Sequence, residues 1–168
     1  MLIYHPAFDL HHGVFRMTRL LLKLPTESLE VERIRILDFF LLFPALLVDI
    51  QYPRELMRYR SVFKKSANKY EKVPDPHRLF IRLEPYQRAA LSCLAAYDLI
   101  DPARLNDGKV LRTGREVPAT MAALAAKADT RFPEVVELLT GPFRGIDLYG
   151  KGGLKARTDL FEHRYDLT

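Results

Sequence analysis

The sequence predicts a mainly α-helical single domain of about six helices with a small β-hairpin, winged-helix-like in its middle. Three observations predict it. Apolar residues recur at helical spacing along most of the chain, prolines and glycines punctuate those runs, and an Asp-Gly turn sits between two short β-capable runs directly after a helix.

Leu10, Val14, Met17, Leu21 and Leu24 share one helical face, so residues 8–24 form a first helix that stops before Pro25. Thr26 or Ser28 caps the second. Its first half is amphipathic, with Val31 and Ile34 inward and Glu30, Glu32, Arg33 and Arg35 outside. Its second half, residues 36–43, is apolar nearly all round, which makes it the central helix of the core. Phe43-Pro44 is a corner, followed by a short helical turn over 45–50 that Pro53 closes. Residues 54–71 are helix or irregular chain, with Leu56, Met57, Tyr59, Val62 and Phe63 as apolar members.

Pro74-Asp75-Pro76 breaks the chain, and residues 79–83 read as a short strand or an extended entry to the next helix. That helix starts with Glu84 as cap and Pro85 in the first turn, and runs through Tyr86, Ala90, Leu91, Leu94 and Tyr97 to Ile100. Asp107-Gly108 then turns a hairpin within 104–113. Alanine-rich residues 118–128 and residues 133–140 form two more helices, stopped at Gly141-Pro142. No internal repeat or interdomain linker is visible. The expected layout is one domain over 1–168, winged-helix-like over approximately 28–116, with a helical and tail extension over approximately 117–168.

The chain is long enough for a real core at 168 residues, and its 48% apolar and 28% charged content is ordinary for a globular protein. No window approaches the roughly 18 consecutive apolar residues of a bilayer span. Met1-Leu2-Ile3-Tyr4-His5-Pro6 lacks the basic and long apolar regions of a signal peptide, which predicts a cytoplasmic protein. The one cysteine, Cys93, lies in an apolar helical pattern and reads as a small core residue. A lone cysteine excludes an internal disulfide and a cysteine-based zinc cluster.

Charge is segregated. Residues 51–88 hold ten Lys/Arg against four acids, a local charge of +6 in a chain of net +5. Within it, Arg54, Arg58, Arg60, Lys64, Lys65, Lys69 and Lys72 interleave with Tyr59 and Phe63, a pattern suited to nucleic acid or an acidic protein partner, or else to a solvated helix face. The helix over 86–97 offers only Gln87 and Arg88 toward base edges, so it is expected to pack against protein.

Catalytic and metal patterns are weak. His5, Asp9, His11 and His12 are close in sequence, but His11 and His12 diverge by about 100° on a helix, so no metal or other cofactor is expected. Gly150-Lys151-Gly152-Gly153 lacks the order of a phosphate-binding loop and reads as a flexible turn. Glu162-His163 is the only adjacent acid and imidazole worth weighing, and the expectation is a protein that is not an enzyme. The last stretch, 153–166, alternates Leu154, Leu160, Phe161 and Tyr165 with charges of both signs, the mark of a docked terminus. It packs on its own domain or forms a partner surface, and Phe161, His163, Arg164 and Tyr165 are the candidate interface residues.

Three segments carry a family resemblance. Tyr4-His5-Pro6-Ala7-Phe8-Asp9 with Phe15-Arg16-Met17 is the first, Glu32-Arg33-Ile34-Arg35-Ile36-Leu37-Asp38-Phe39-Phe40-Leu41-Leu42-Phe43-Pro44 the second, and Gly153-Leu154-Lys155-Ala156-Arg157 with Arg164-Tyr165-Asp166 the third. Together they resemble the small middle component of bacterial ABC-three-component systems, from end to end of the chain. The resemblance implies an accessory subunit encoded between an SMC- or RecN-like ABC ATPase and an effector, in anti-phage and anti-plasmid systems of the Lamassu kind. It implies no catalytic residues. It makes the basic segment a candidate for touching double-stranded DNA or the ATPase. A free-standing winged-helix transcriptional regulator is the alternative, and a hydrolase using His163 and a tail carboxylate the third reading.

Overall fold

The computed structural model describes residues 5–66 and 72–161. His5 caps a 3-10 turn, Pro6–Phe8, with its imidazole Nδ1 accepting from the Ala7 amide at 3.1 Å. Asp9 then caps α1, Leu10–Lys23, through the His12 amide at 2.9 Å. These two caps in succession fix how the chain enters α1. The predicted inward residues Met17 and Leu21 are buried, and Leu24 closes the helix before Pro25.

A short strand β1, Leu29–Glu30, leads straight into α2, Val31–Leu42. Helix α2 is central, as its composition requires, with Ile34, Ile36, Leu37, Phe39 and Phe40 all buried. Phe43 ends it and Pro44 starts a 3-10 segment, Pro44–Asp49. A further 3-10 turn, Arg54–Leu56, opens α3, Met57–Ser66.

The next element corrects the sequence reading. Residues 79–83 are neither strand nor extended chain, and Glu84 caps nothing: α4 runs unbroken over Pro76–Ala96 with Pro85 inside it. Asp75, left-handed at φ 48°, supplies the cap by accepting from the Arg78 amide at 3.0 Å. Pro85 lies on the solvent face, while Phe80, Leu83, Gln87, Ala90, Leu91 and Leu94 form one continuous buried stripe across it. Burial of that stripe outweighs the hydrogen bond a mid-helix proline forfeits, about 3 kcal/mol.

The small antiparallel sheet is present, with partners other than those of a local hairpin. β2, Lys109–Val110, pairs with β1 in the register Leu29 to Val110 and Glu30 to Lys109. Between Ile100 and Arg112, which form an isolated antiparallel bridge, the chain makes a helical turn α5, Pro102–Asn106, where tight hairpin strands were expected. Asp101 accepts from the Ala103 and Arg104 amides and Pro102 has helical φ built in, so local capping favours a helix there. Gly108, at φ 73°, turns the chain into β2.

Helices α6, Ala119–Asp129, α7, Pro133–Thr140, and α8, Pro142–Gly145, follow, and α9, Leu154–Thr158, is the last among the described residues. One hydrophobic cluster unites residues from Ala7 to Leu160, so the described residues share a single core.

Candidate functional site

The second resemblance segment builds a polar framework inside the core. Arg33 and Arg35, expected on the outside of α2, are only 5% and 4% exposed. The apolar period of α2 cannot announce this, because neighbours on three sides close over the helix and each arginine meets a prepared set of acceptors. Arg33 donates through Nη1 to the carbonyls of Phe143, Arg144 and Ile146 at 3.3, 3.0 and 2.6 Å, and through Nε to Glu30 at 2.8 Å. It thereby holds the turn around α8 against α2. Burial alone would raise the Glu30 carboxyl, yet the Arg33 hydrogen bond, with backbone hydrogen bonding and the Arg33 and Lys109 charges, leaves it below its ordinary value.

Asp38 is fully buried and receives Arg16 of α1, Nε to Oδ1 at 2.7 Å and Nη2 to Oδ2 at 3.3 Å. Gln87 of α4, also fully buried, donates to Asp38 Oδ2 at 2.9 Å and to the Arg35 carbonyl at 3.0 Å. Its Oε1 accepts from Arg35 Nε at 3.0 Å. Arg35 continues outward to Glu84 at 3.2 Å, which Arg88 also holds at 2.7 Å. Burial lowers the Arg35 pKa, with Glu84 opposing. Among the described residues no buried side-chain polar atom lacks a partner, so the framework is saturated. Gln87 faces Asp38 and Arg35 and not solvent, in line with a helix that packs against protein.

The tail joins the same framework. Leu154 and Leu160 are buried, and Lys155 reaches Glu32 of α2 at 3.1 Å, with its ammonium 4.6 Å from the Tyr149 ring and 4.5 Å from the Phe161 ring. Phe161, half-buried, meets Phe80 edge-on at 4.9 Å, and Arg35 lies over the Phe80 face at 4.6 Å. Arg157 donates to the carbonyls of Gln51 and Gly152 at 2.9 and 2.6 Å. The Gly-rich approach is a tight turn: a Cβ on Gly153 would run into the Tyr149 carbonyl and lie 2.9 Å from that of Leu148. Through Phe161, then, the tail packs on its own domain. His163, Arg164 and Tyr165 lie outside the described residues, as does Lys69.

The remaining predicted cations are brought to the surface together. Tyr59 and Phe63 turn inward from α3, leaving Arg58, Arg60, Lys64 and Lys65 exposed, with Arg54 exposed one turn earlier. Lys72, beyond the undescribed segment, is exposed too. Helix α3 is fastened by the Tyr59 hydroxyl, which donates to Glu137 of α7 at 2.5 Å, and Arg58 lies 3.4 Å from the same carboxylate. Burial, then the Glu137 hydrogen bond, raises the Tyr59 pKa.

Other candidates take structural places. His5 is a cap, His11 and His12 are exposed on α1, and no group of three His, Cys, Asp or Glu among the described residues is arranged to hold a metal. Cys93 is only partly buried. Sequence reasoning passed over α6, whose outer face is apolar although little of it is buried. The signal was legible, since all of Ala119–Asp129 except Thr120, Lys127 and Asp129 is apolar.

What these observations define is a mainly helical domain whose inner polar groups are internal struts and whose basic segment displays Arg58, Arg60, Lys64 and Lys65 along α3. Over residues 2–166 the chain matches the family described as ABC-three component (ABC-3C) system Middle Component 5, and it belongs to that family. Searches of curated proteins and of solved structures found no match. A middle component is one part of a multi-component system, which implies protein partners. No helix among the described residues is long and apolar enough to cross a membrane.

Proposed function

We propose that this chain is a non-enzymatic accessory subunit that joins an SMC- or RecN-like ABC ATPase to an effector, in a cytoplasmic anti-phage or anti-plasmid defence complex of the Lamassu kind. The observation that carries this reading is the family match over residues 2–166. The framework around Asp38 supports it, because the residues most characteristic of the resemblance are occupied in holding helices together. In this reading the surface of Arg54, Arg58, Arg60, Lys64, Lys65, Lys69 and Lys72 meets the ATPase or the DNA it holds. His163, Arg164 and Tyr165, which follow the docked Phe161 in sequence, belong to a subunit contact.

Co-expression with the ATPase and effector encoded beside it, followed by affinity purification, is expected to recover a ternary complex. Elution of the chain alone, with both neighbours expressed, sinks the reading. The exposed cations favour a second reading, a free-standing winged-helix regulator, which requires that the isolated chain bind duplex DNA with steep salt dependence. Absence of binding at about 50 mM salt rejects it.

A further inference from the structure

Helix α6 is a surface helix without a polar outer face. Its inward side is small: Ala125 is buried, and Asp129 is held by Arg19 of α1 at 2.8 Å. That ion pair and Ala125, with the half-buried Met121, Ala122 and Ala128, attach α6 to the domain. Ala123, Leu124 and Ala126 face solvent, Leu124 at 55% exposure, and Phe132 just beyond the helix is 51% exposed. A helix that serves only its own core places charge on such positions. Here Lys127 is the one charged residue on the exposed side of α6. Apolar surface of this kind, gathered along one element, marks an interaction site.

The shape beside α6 specifies more. Between α1 and α6 runs an open groove of about 530 Å³ whose floor and walls include Phe15, Leu124 and Ala128. Its charged lining consists of Lys127 and Arg131, with the imidazole of His11 alongside, and no carboxylate lines it. A trough between two helices accepts the side-chain ridge of a third, and small residues such as alanine let helix axes approach to about 8 Å. The cationic border, without a matching acid, selects the sign of the incoming charge.

We propose that this groove docks an amphipathic α-helix of a partner subunit, presenting an apolar stripe flanked by Asp and Glu. The proposal rests on the subunit reading above and assigns it a surface separate from the basic face of α3. Leucine-sized side chains of the partner helix fill the space against Phe15, Leu124 and Ala128, and its acids meet Lys127 and Arg131.

The test uses the full chain co-expressed with the ATPase and effector encoded beside it, as wild type, Leu124→Asp, Leu124→Lys and Lys127→Glu/Arg131→Glu. Arg104→Glu, an exposed cation on α5, serves as the control. The altered positions are exposed, so circular dichroism and melting should stay close to wild type. Complex affinity is expected to fall roughly tenfold or more for Leu124→Asp and the double reversal, less for Leu124→Lys, and not for Arg104→Glu.

Retention of wild-type affinity by Leu124→Asp and the double reversal in folded protein overturns the proposal, and a larger loss for Leu124→Lys than for Leu124→Asp overturns the acidic partner. If the wild-type chain alone sediments as a dimer that Leu124→Asp dissociates, a second copy is the occupant and the proposal fails. Selective loss of DNA binding with the protein complex intact also defeats it. Wild type that recovers neither subunit fails the subunit reading itself, a result separable from all of these.

Discussion

Arg16 and Asp38, 22 positions apart, meet as a paired guanidinium and carboxylate inside the core, Nε to Oδ1 at 2.7 Å. The pair ties α1 to α2, and Gln87 adds α4 at the same carboxylate. Three helices therefore converge on one buried anion. Replacing such a pair with apolar residues is often neutral, whereas removing one partner leaves a charge stranded.

Asp38→Ala is accordingly expected to destabilise the fold by about 3–5 kcal/mol, while Arg16→Met combined with Asp38→Leu costs clearly less than the single change. Urea unfolding of both variants checks this. Equal losses would show that the charges are not coupled as their geometry requires.

Gly153→Ala tests the tail's seat. Its Cβ has no room between the carbonyls of Tyr149 and Leu148, so the turn must shift and carry Leu154 and Lys155 with it. The expected cost is about 1–3 kcal/mol by thermal or denaturant unfolding. Gly145→Ala, where a Cβ meets nothing within 4 Å, should leave stability almost unchanged.

The exposed face of α3 should separate binding from stability. Arg60→Glu, Lys64→Glu and Lys65→Glu together are expected to move stability by no more than about 0.5 kcal/mol per site, because each side chain is exposed. Binding to an acidic surface should weaken and its salt dependence flatten, measured by titration at several ionic strengths. Tyr59→Phe removes the hydroxyl bonded to Glu137 and should cost about 1 kcal/mol in unfolding measurements.

Acid should destabilise the framework at its edge. For Glu84, burial raises the carboxyl pKa, but the Arg88 hydrogen bond and the charges of Arg35 and Arg88 together outweigh it, and the net shift is downward from 4.5. A carboxyl depressed in the folded state contributes stability above its unfolded value and loses it as pH falls through the folded value. Stability should therefore drop as pH is lowered below about 4.5, and Glu84→Gln should flatten part of that drop. Half-exposure of Glu84 keeps its share modest. An unchanged pH profile in Glu84→Gln removes Glu84 from this account.

Most helices were legible because their apolar residues repeat at helical spacing and their ends carry Pro, Gly and Asp. The central place of α2 followed from an apolar run too wide to face water. The entry to α4 was misread because proline at 85 looks like a helix start, and only the buried stripe spanning it shows otherwise. The strand pairing of 29–30 with 109–110 has no local signal, since its two partners are joined by nothing but distant chain. For the candidate site, the cations from Arg54 to Lys65 were legible as a cluster, and those from Arg58 on share the exposed side of α3, with Arg54 on the turn before it. The inward course of Arg33 and Arg35 was not.

The sequence by itself determined the helical class, the family, the segregation of positive charge and the docked character of the tail, because periodicity, composition and order along the chain carry those directly. Tertiary structure alone decided which charges are buried struts and which are displayed, and which apolar helix remains uncovered. The reason is physical: whether an arginine may be buried depends on acceptors brought from residues such as Asp38, Gln87 and Phe143, and whether an alanine is core or surface depends on what packs over it.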